Sequence, residues 1–202
     1  MSQSLSTNYF DELYRQNKDP WDFETSQYER DKYVATLAAL PRERYQNAFE
    51  IGCSIGVLTQ QLATRCEQLL AVDSSELPLQ QARQRLQDQP HVQLAQMQVP
   101  NSFPDGPFDL ILVSEVAYYW SWNDLKKAQQ HFLRTLQPGG HLLLVHWVQP
   151  TNYPLTGDEV HNAFGTLGAH LSHQQHQRTD RYRLDLWERK EESVAPVGED
   201  LQ

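Results

Sequence analysis

Hydrophobic and polar positions change along the chain in blocks, so that short apolar runs alternate with segments of helical spacing. Five apolar segments predict strands: residues 48–51, 68–72, 91–97, 109–114 and 141–147. Apolar residues three and four apart predict helices over residues 28–40, 57–66, 77–87 and 123–136. The uninterrupted run Leu110-Ile111-Leu112-Val113 is typical of a parallel strand covered on both faces.

The two ends of the chain extend this alternating core. A short helix near residues 12–15 and the helix over 28–40 predict an N-terminal helical cap, or lid, over residues 1–40. Residues 138–140, Pro-Gly-Gly, predict a sharp turn before the fifth strand. After a weaker helix over residues 158–171, alternating side chains predict a hairpin of strands 172–177 and 182–188.

This order of strands and helices predicts a doubly wound, Rossmann-like α/β fold whose seven-stranded sheet ends in an antiparallel hairpin. We expect a single domain over residues 1–189. Residues 190–202 are acidic and poor in apolar side chains, which predicts a disordered tail.

Charge and composition limit the classes of molecule that the protein is expected to bind. The 202 residues carry a net charge of −9, which disfavours nucleic acids and anionic membranes. Cys53 and Cys66 stand outside any CxxC pair and are expected to be reduced. We find no apolar run of signal-peptide or membrane-spanning type. These features predict a cytoplasmic monomer or homodimer that acts on a small molecule.

A glycine-containing turn, Glu50-Ile51-Gly52-Cys53-Ser54-Ile55-Gly56, joins the first strand to its helix. Gly52 permits a tight turn, and Gly56 permits close packing or close approach of a ligand. The following helix directs its N-terminal amides into the crevice. Asp73 ends the second strand, where a carboxylate can accept hydrogen bonds from a ribose diol.

Adenine dinucleotides and S-adenosylmethionine (SAM) are both bound by such a turn, and the glycine spacing separates them. The dinucleotide fingerprint G-x-G-x-x-G requires glycine where this chain has Ser54 and Val57. SAM sites tolerate the looser pattern [DE]-x-G-x-[GS]-x-G, which the chain fits from Glu50 onward. We therefore expect SAM as cofactor, with an ordinary strand–helix turn as the alternative.

Four signals in order resemble the class I SAM-dependent methyltransferases over about residues 45–147. They are the glycine turn, Asp73, the strand ending at Ser114 and Glu115, and the Pro-Gly-Gly turn. The resemblance implies cofactor contacts from a set of residues: Glu50, Gly52, Cys53, Gly56, Asp73, Ser74, Ser114 and Glu115. Ser54 replaces the usual middle glycine, and residues 96–100 lack the common acidic residue, so Gln98 and Val99 are expected to receive the adenine amino group.

The flanking segments add aromatic clusters: Tyr9-Phe10, Trp21, Tyr28, Tyr118-Tyr119-Trp120, Trp147 and Tyr153. With them the chain, up to about residue 189, resembles the NodS-like nodulation N-methyltransferases, which act on an amino sugar of a chitin-derived oligosaccharide. The resemblance implies N-methylation of a small amine, with a carbohydrate-like acceptor.

Several side chains outside the glycine turn are candidates for the chemistry. Trp21 and Tyr28 are expected to offer aromatic faces to the sulfonium cation, or else to anchor the cap. Arg30 is expected to pair with the SAM carboxylate.

An amine acceptor must lose a proton before it attacks. His146 and His161 are the histidine candidates for that base, with Glu115 and Asp158 as carboxylate alternatives. The other histidines, including His170, His173 and His176, lack a ligand-type spacing, and we expect no metal. O- or C-methylation, a nicotinamide-dependent oxidoreductase and a non-catalytic SAM-binding protein remain as alternatives.

Overall fold

Seven strands form one mixed sheet in the computed structural model, which describes residues 3–191. The strands are β1 (Tyr45–Ile51), β2 (Cys66–Asp73), β3 (Val92–Gln96), β4 (Phe108–Ser114), β5 (Leu136–Trp147), β6 (Leu171–Arg178) and β7 (Tyr182–Arg189). The α-helices are α1 (Thr7–Gln16), α2 (Gln27–Ala38), α3 (Val57–Leu62), α4 (Glu76–Arg85), α5 (Trp122–Thr135) and α6 (Gly157–Gly165), with 3-10 turns at Ala63–Arg65 and Ala117–Tyr119.

The strand order is β3-β2-β1-β4-β5-β7-β6. Strands β1 to β5 pair in parallel, and β7 pairs antiparallel with both β5 and β6. This confirms the predicted doubly wound sheet with its C-terminal hairpin. Strands β2 and β3 are added on one side of β1, and β4 and β5 on the other, so the strand order reverses between β1 and β4. Doubly wound sheets bind ligands at this switch point.

The central strands are apolar on both faces because helices cover both sides. In β4, Ile111 and Val113 join one core cluster, while Leu110 and Leu112 join the other. In β5, Leu142 and Leu144 share the first cluster with Phe164 of α6. Burial on both faces explains why the strands could be recognised as continuous apolar runs.

Two predicted boundaries need correction. The helix expected over residues 158–171 begins at a capping box, in which Thr156 and Glu159 satisfy each other's backbone amides, and it ends at Gly165. The Pro-Gly-Gly segment lies inside β5 as an irregularity. Leu136 pairs with Phe108 and His141 pairs with Leu110, so residues 137–140 face a single residue of β4.

The C-terminal end of the described chain is hydrogen-bonded to the residue that precedes β6. Strand β7 runs to Arg189, and the Lys190 amide donates to the carbonyl of His170 at 2.9 Å. Most of the predicted tail, residues 192–202, lies outside the described residues. None of the helices described between residues 3 and 191 is long and apolar enough to cross a membrane.

Candidate active site

A cavity of about 400 Å³ opens at the carboxyl ends of the parallel strands. The turn after β1, the end of β2 and the end of β4 form its floor. Side chains of α1, α2 and the segment between them form its cover. The cavity therefore occupies the position expected for a ligand in a doubly wound sheet.

The glycine turn is held by the neighbouring strand. The amides of Gly52 and Cys53 both donate to the carbonyl of Val72, at 2.7 and 3.0 Å. Gly52 has a φ of +82°, and a Cβ there would lie 2.0 Å from Cγ2 of Val116. Only glycine fits this position without displacing Val116.

Gly56, the last glycine of the turn, has a different task from the one that the cofactor motif implied. It precedes α3 with a φ of +80° and does not line the cavity. A Cβ there would approach Ala82 and Leu86 at 3.1 to 3.3 Å. Gly56 therefore serves the close packing of α3 against α4, and its assignment to the cofactor is corrected.

Asp73 lies at the tip of β2 with its carboxylate at the cavity. One oxygen accepts from the Ser54 amide at 3.0 Å and the other from the Ser75 amide at 2.9 Å. Burial raises the pKa of Asp73 to about 6, while these backbone donors act to lower it. The carboxylate is thus fixed in place by the main chain, as a precise hydrogen-bond acceptor must be.

Glu50 is the second acidic group on the floor and is 2% exposed. Its Oε2 atom meets no hydrogen-bond partner among residues 3–191. Burial raises the pKa of Glu50 to about 7, while the neighbouring Thr59 hydroxyl acts to lower it. An unsatisfied buried carboxylate oxygen beside a cavity fits an ammonium group of a ligand, because burying such an atom alone is costly.

Most of the other predicted cofactor residues also line the cavity: Trp21, Tyr28, Gly52, Cys53, Ser74, Gln98, Val99, Ser114 and Glu115. Arg30 does not. It lies on the exposed side of α2, where it donates to the carbonyl of Thr25 at 2.9 Å and to Gln27. Its assignment to the SAM carboxylate is therefore corrected.

The inner face of α2 carries a cation that sequence reasoning missed. Lys32 is 2% exposed, and its Nζ lies 2.9 Å from Glu29 and 2.7 Å from Glu115. Burial alone would lower the pKa of Lys32, but the two carboxylates outweigh it and raise that pKa. Glu115 also accepts hydrogen bonds from the Tyr118 hydroxyl at 2.6 Å and the Trp147 amide at 2.9 Å.

The N-terminal segment covers the cavity through specific contacts. The Tyr14 hydroxyl lies 2.6 Å from Oγ of Ser54, in the glycine turn. The Leu5 amide donates to the carbonyl of Tyr119 at 2.9 Å. The segment thus lies where the predicted cap or lid was expected, and its mobility stays a prediction.

Aromatic rings surround the part of the cavity nearest β4 and β5. Tyr118 stacks on Tyr153 with ring centroids 5.2 Å apart, and Tyr119 meets Tyr153 edge-on at 4.6 Å. Across the opening, Tyr28 packs edge-on against Trp147 at 5.7 Å. These faces and the Glu115 carboxylate make one compartment that is both aromatic and acidic.

His146 of β5 and His161 of α6 are both placed away from the cavity. Both are 0% exposed, and neither lines the cavity. The Ala117 amide lies 3.1 Å from Nε2 of His146, Nδ1 of His146 lies 3.1 Å from Nε2 of His161, and Nδ1 of His161 lies 2.6 Å from Asp185. All four ring nitrogens are therefore occupied.

The directions of these hydrogen bonds follow from the first donor. A backbone N–H can only donate, so His146 accepts at Nε2 and carries its proton on Nδ1. His161 then accepts at Nε2 and donates from Nδ1 to Asp185. Burial lowers the pKa of both histidines and favours their neutral forms.

The expectation of a catalytic base at these positions needs correction, because neither histidine has a free nitrogen or access to the cavity. Asp158 does not line the cavity either and pairs with Arg178 and, at 3.6 Å, with Arg183. Of the four predicted catalytic residues, the structure places Glu115 alone at the cavity.

Comparison with known proteins identifies the family. A family model described as Nodulation protein S (NodS) matches residues 9–147. The chain belongs to the NodS family. Nodulation protein S of Rhizobium tropici is 32% identical over 127 residues, which cover 62% of this chain and 53% of that protein. The corresponding Sinorhizobium fredii protein is 29% identical over 128 residues, covering 62% and 59%. The chain thus spans less than two thirds of the length of these curated relatives.

Solved structures agree with the family on the fold. A Pseudomonas syringae protein named as a candidate methyltransferase is 40% identical, with a TM-score of 0.72 over 81% of this chain and 100% of that one. The N-methyltransferase NodS of Bradyrhizobium japonicum WM9, solved with S-adenosylhomocysteine (SAH), is 24% identical, with a TM-score of 0.77 over 91% and 100%. The fold is that of SAM-dependent methyltransferases, and the predicted NodS resemblance is confirmed.

Proposed function

We propose that this protein is a SAM-dependent N-methyltransferase that methylates a small amine, with an amino sugar as the first candidate acceptor. The observation that carries the proposal is a single cavity with two chemically distinct halves. Glu50 and Asp73 mark the half above β1 and β2, and Glu115 marks an aromatic half above β4 and β5. Membership of the NodS family supports the same assignment.

The first half fits the cofactor. Asp73 would accept hydrogen bonds from the ribose hydroxyls, and the unsatisfied Oε2 of Glu50 would receive the SAM ammonium group. Gln98 and Val99 would meet the adenine, while Trp21 and Tyr28 would face the sulfonium. Bound SAM supplies the electrophilic methyl group of the reaction.

The second half fits an amine on a ring-shaped molecule. The rings of Tyr118, Tyr119 and Tyr153 offer apolar faces, and Glu115 offers an anion for an ammonium group. Holding the nitrogen about 3 Å from the methyl carbon and in line with the sulfur would supply roughly 7–11 kcal/mol of the barrier. The B. japonicum NodS is named as an N-methyltransferase.

Glu115 is the group to which we assign the proton of the incoming amine. Its Oε2 accepts two hydrogen bonds and its Oε1 accepts one from Lys32, so Oε1 retains a lone pair. The nitrogen would give its proton to this oxygen, and its freed electron pair would attack the methyl carbon as the carbon–sulfur bond breaks.

Turnover on matched acceptors tests the proposal. A chitin oligosaccharide with one free amine is compared with its fully acetylated counterpart, and both with a simple amine, a phenol and a carboxylate. SAH release and the mass of the product are measured. We expect the mass of each free-amine acceptor to rise by that of one methylene group, and the masses of the acetylated oligosaccharide, the phenol and the carboxylate to stay unchanged.

Two variants test the role assigned to Glu115. Glu115→Gln should lower turnover by about 10²- to 10⁴-fold with little change in SAH affinity. His146→Asn serves as the comparison, and it should keep turnover at permissive temperature because the ring never reaches the cavity. Methylation of the phenol or carboxylate with no amine product would refute N-methylation, and SAH binding without any turnover would favour a binding protein.

A further inference from the structure

Three side chains of the C-terminal hairpin converge outside the cavity. His173 and His176 of β6 both point at Oδ1 of Asp185 in β7. Nε2 of His173 lies 2.9 Å from this oxygen, and Nδ1 of His176 lies 2.7 Å from it. The three ligand-type atoms all lie within 4.8 Å of one another.

A β-bulge produces this convergence. His173 pairs with Trp187 while Gln175 pairs with Leu186, so an extra residue stands between them in β6. Residues three apart on a regular strand point to opposite faces, whereas a bulge between them returns both to one face. The sequence spacing of the two histidines therefore hides a shared face.

The carboxylate is held ready by its other oxygen. Oδ2 of Asp185 accepts from Nδ1 of His161 at 2.6 Å and from Nε of Arg183 at 2.8 Å. These two donors fix the orientation of the carboxylate, so that Oδ1 faces the two imidazoles of β6. Asp158 balances the charge of Arg183 at 3.6 Å, so the guanidinium does not leave an uncompensated cation beside the cluster.

The two imidazoles face the solvent. Their side chains are 38% and 47% exposed, while Asp185 is 0% exposed, so an ion can enter from outside and bind a fixed carboxylate. The ring of His173 stacks on Trp187 with centroids 4.1 Å apart, which fixes its orientation.

We propose that His173, His176 and Asp185 form a binding site for a divalent transition-metal ion, with zinc as the best match. Two imidazole nitrogens and one carboxylate oxygen are a ligand set that zinc prefers, with solvent completing the coordination. Ligand atoms about 2.0–2.1 Å from a tetrahedral zinc lie roughly 3.3 Å apart, so the present contacts need to open by about half an ångström. Each imidazole would move its proton to its other ring nitrogen.

The site is tested on the full chain, freed of metal and of any purification tag. Zn²⁺ is titrated by calorimetry, and Co²⁺ serves as a coloured probe of the ligand set. His173→Gln and His176→Gln keep a hydrogen-bond donor for Asp185 but remove the imidazole. His170→Gln is the matched control, since His170 is exposed at the start of the same hairpin and its imidazole is not in the cluster.

We expect one Zn²⁺ per chain, a Co²⁺ spectrum of low coordination number, and an affinity reduced by more than about 100-fold in either cluster variant. The His170 control should bind as the parent does. Circular dichroism confirms that each variant is folded. No saturable binding by the parent, binding that both cluster variants retain, or an equal loss in the control would each overturn the site.

Discussion

Replacing Asp73 with asparagine should separate cofactor binding from structural support. The carboxylate accepts the Ser54 amide at 3.0 Å and the Ser75 amide at 2.9 Å, so asparagine leaves one of these amides facing its own NH₂ group. One unsatisfied buried donor costs about 1–3 kcal/mol of folding free energy. For a chain of this size the melting temperature should fall by roughly 2–12 °C.

Asp109 provides a matched control in the same fold. It is 3% exposed, and its two carboxylate oxygens accept the Gln46 and Asn47 amides at 2.7 and 2.9 Å, yet it does not line the cavity. Asp109→Asn should therefore show a similar loss of stability. Only Asp73→Asn should also lose the charged hydrogen bonds to the ribose, worth about 1.5–3 kcal/mol, or roughly ten- to hundred-fold in SAH affinity.

Calorimetric titration of both variants with SAH, at a temperature where both are folded, measures the difference. An SAH affinity that Asp73→Asn leaves unchanged, or that Asp109→Asn reduces as much, would refute the ribose assignment. A stability loss without an affinity loss would leave Asp73 as a support of the turn alone.

Three further variants probe other parts of the molecule. Gly52→Ala should abolish SAH binding in titrations or destabilise the fold in thermal scans, because its Cβ would lie 2.0 Å from Val116; binding and melting equal to the parent would contradict this. Lys32→Met removes the cation that pairs with buried Glu29 and with partly exposed Glu115, and should cost up to about 3–5 kcal/mol in denaturant unfolding, part of which adding Glu115→Gln should restore. In the parent, burial lowers the pKa of His146. The contribution of this residue to the free energy of unfolding is therefore fully present above about pH 6.5, and it decreases by about 1.4 kcal/mol for each pH unit below that. His146→Asn should show a shallower fall in melting temperature between pH 6.5 and 5, and an unchanged slope would count against that origin.

The sheet and the cofactor turn were predictable because their signals are local. Buried parallel strands are continuous apolar runs, and the glycine turn with Asp73 keeps a fixed spacing whatever the rest of the chain does. The predictions that were wrong concern positions where the direction of the side chain decides whether it reaches the cavity. On α2, a guanidinium suits a carboxylate ligand and so favours Arg30, but the structure places Arg30 on the exposed side of the helix and Lys32 on the buried side.

His146 shows the same limit on a strand. It lies one residue before the end of β5, near the carboxyl ends where the fold predicts a site, but it shares the face of Leu142 and Leu144, whereas Trp147 lines the cavity. Successive residues of a strand point to opposite faces, so a strand end alone does not identify the catalytic side chain. The bulge that joins His173 to His176 changes this alternation by one residue, and no local motif marks it.

The series of hydrogen bonds through His161 and His146 is not expected to conduct protons to the cavity. It runs from the hairpin surface at His173 and His176 through Asp185, His161 and His146 to the backbone amide of Ala117, which does not line the cavity. Conduction along such a wire requires a terminal group that can take up a proton, and the Ala117 amide at the inner end can only donate. A proton taken up at the hairpin surface therefore finds no acceptor at the inner end of this series, and we expect the protonation of groups in the cavity to depend on the solvent at its opening and on its own carboxylates.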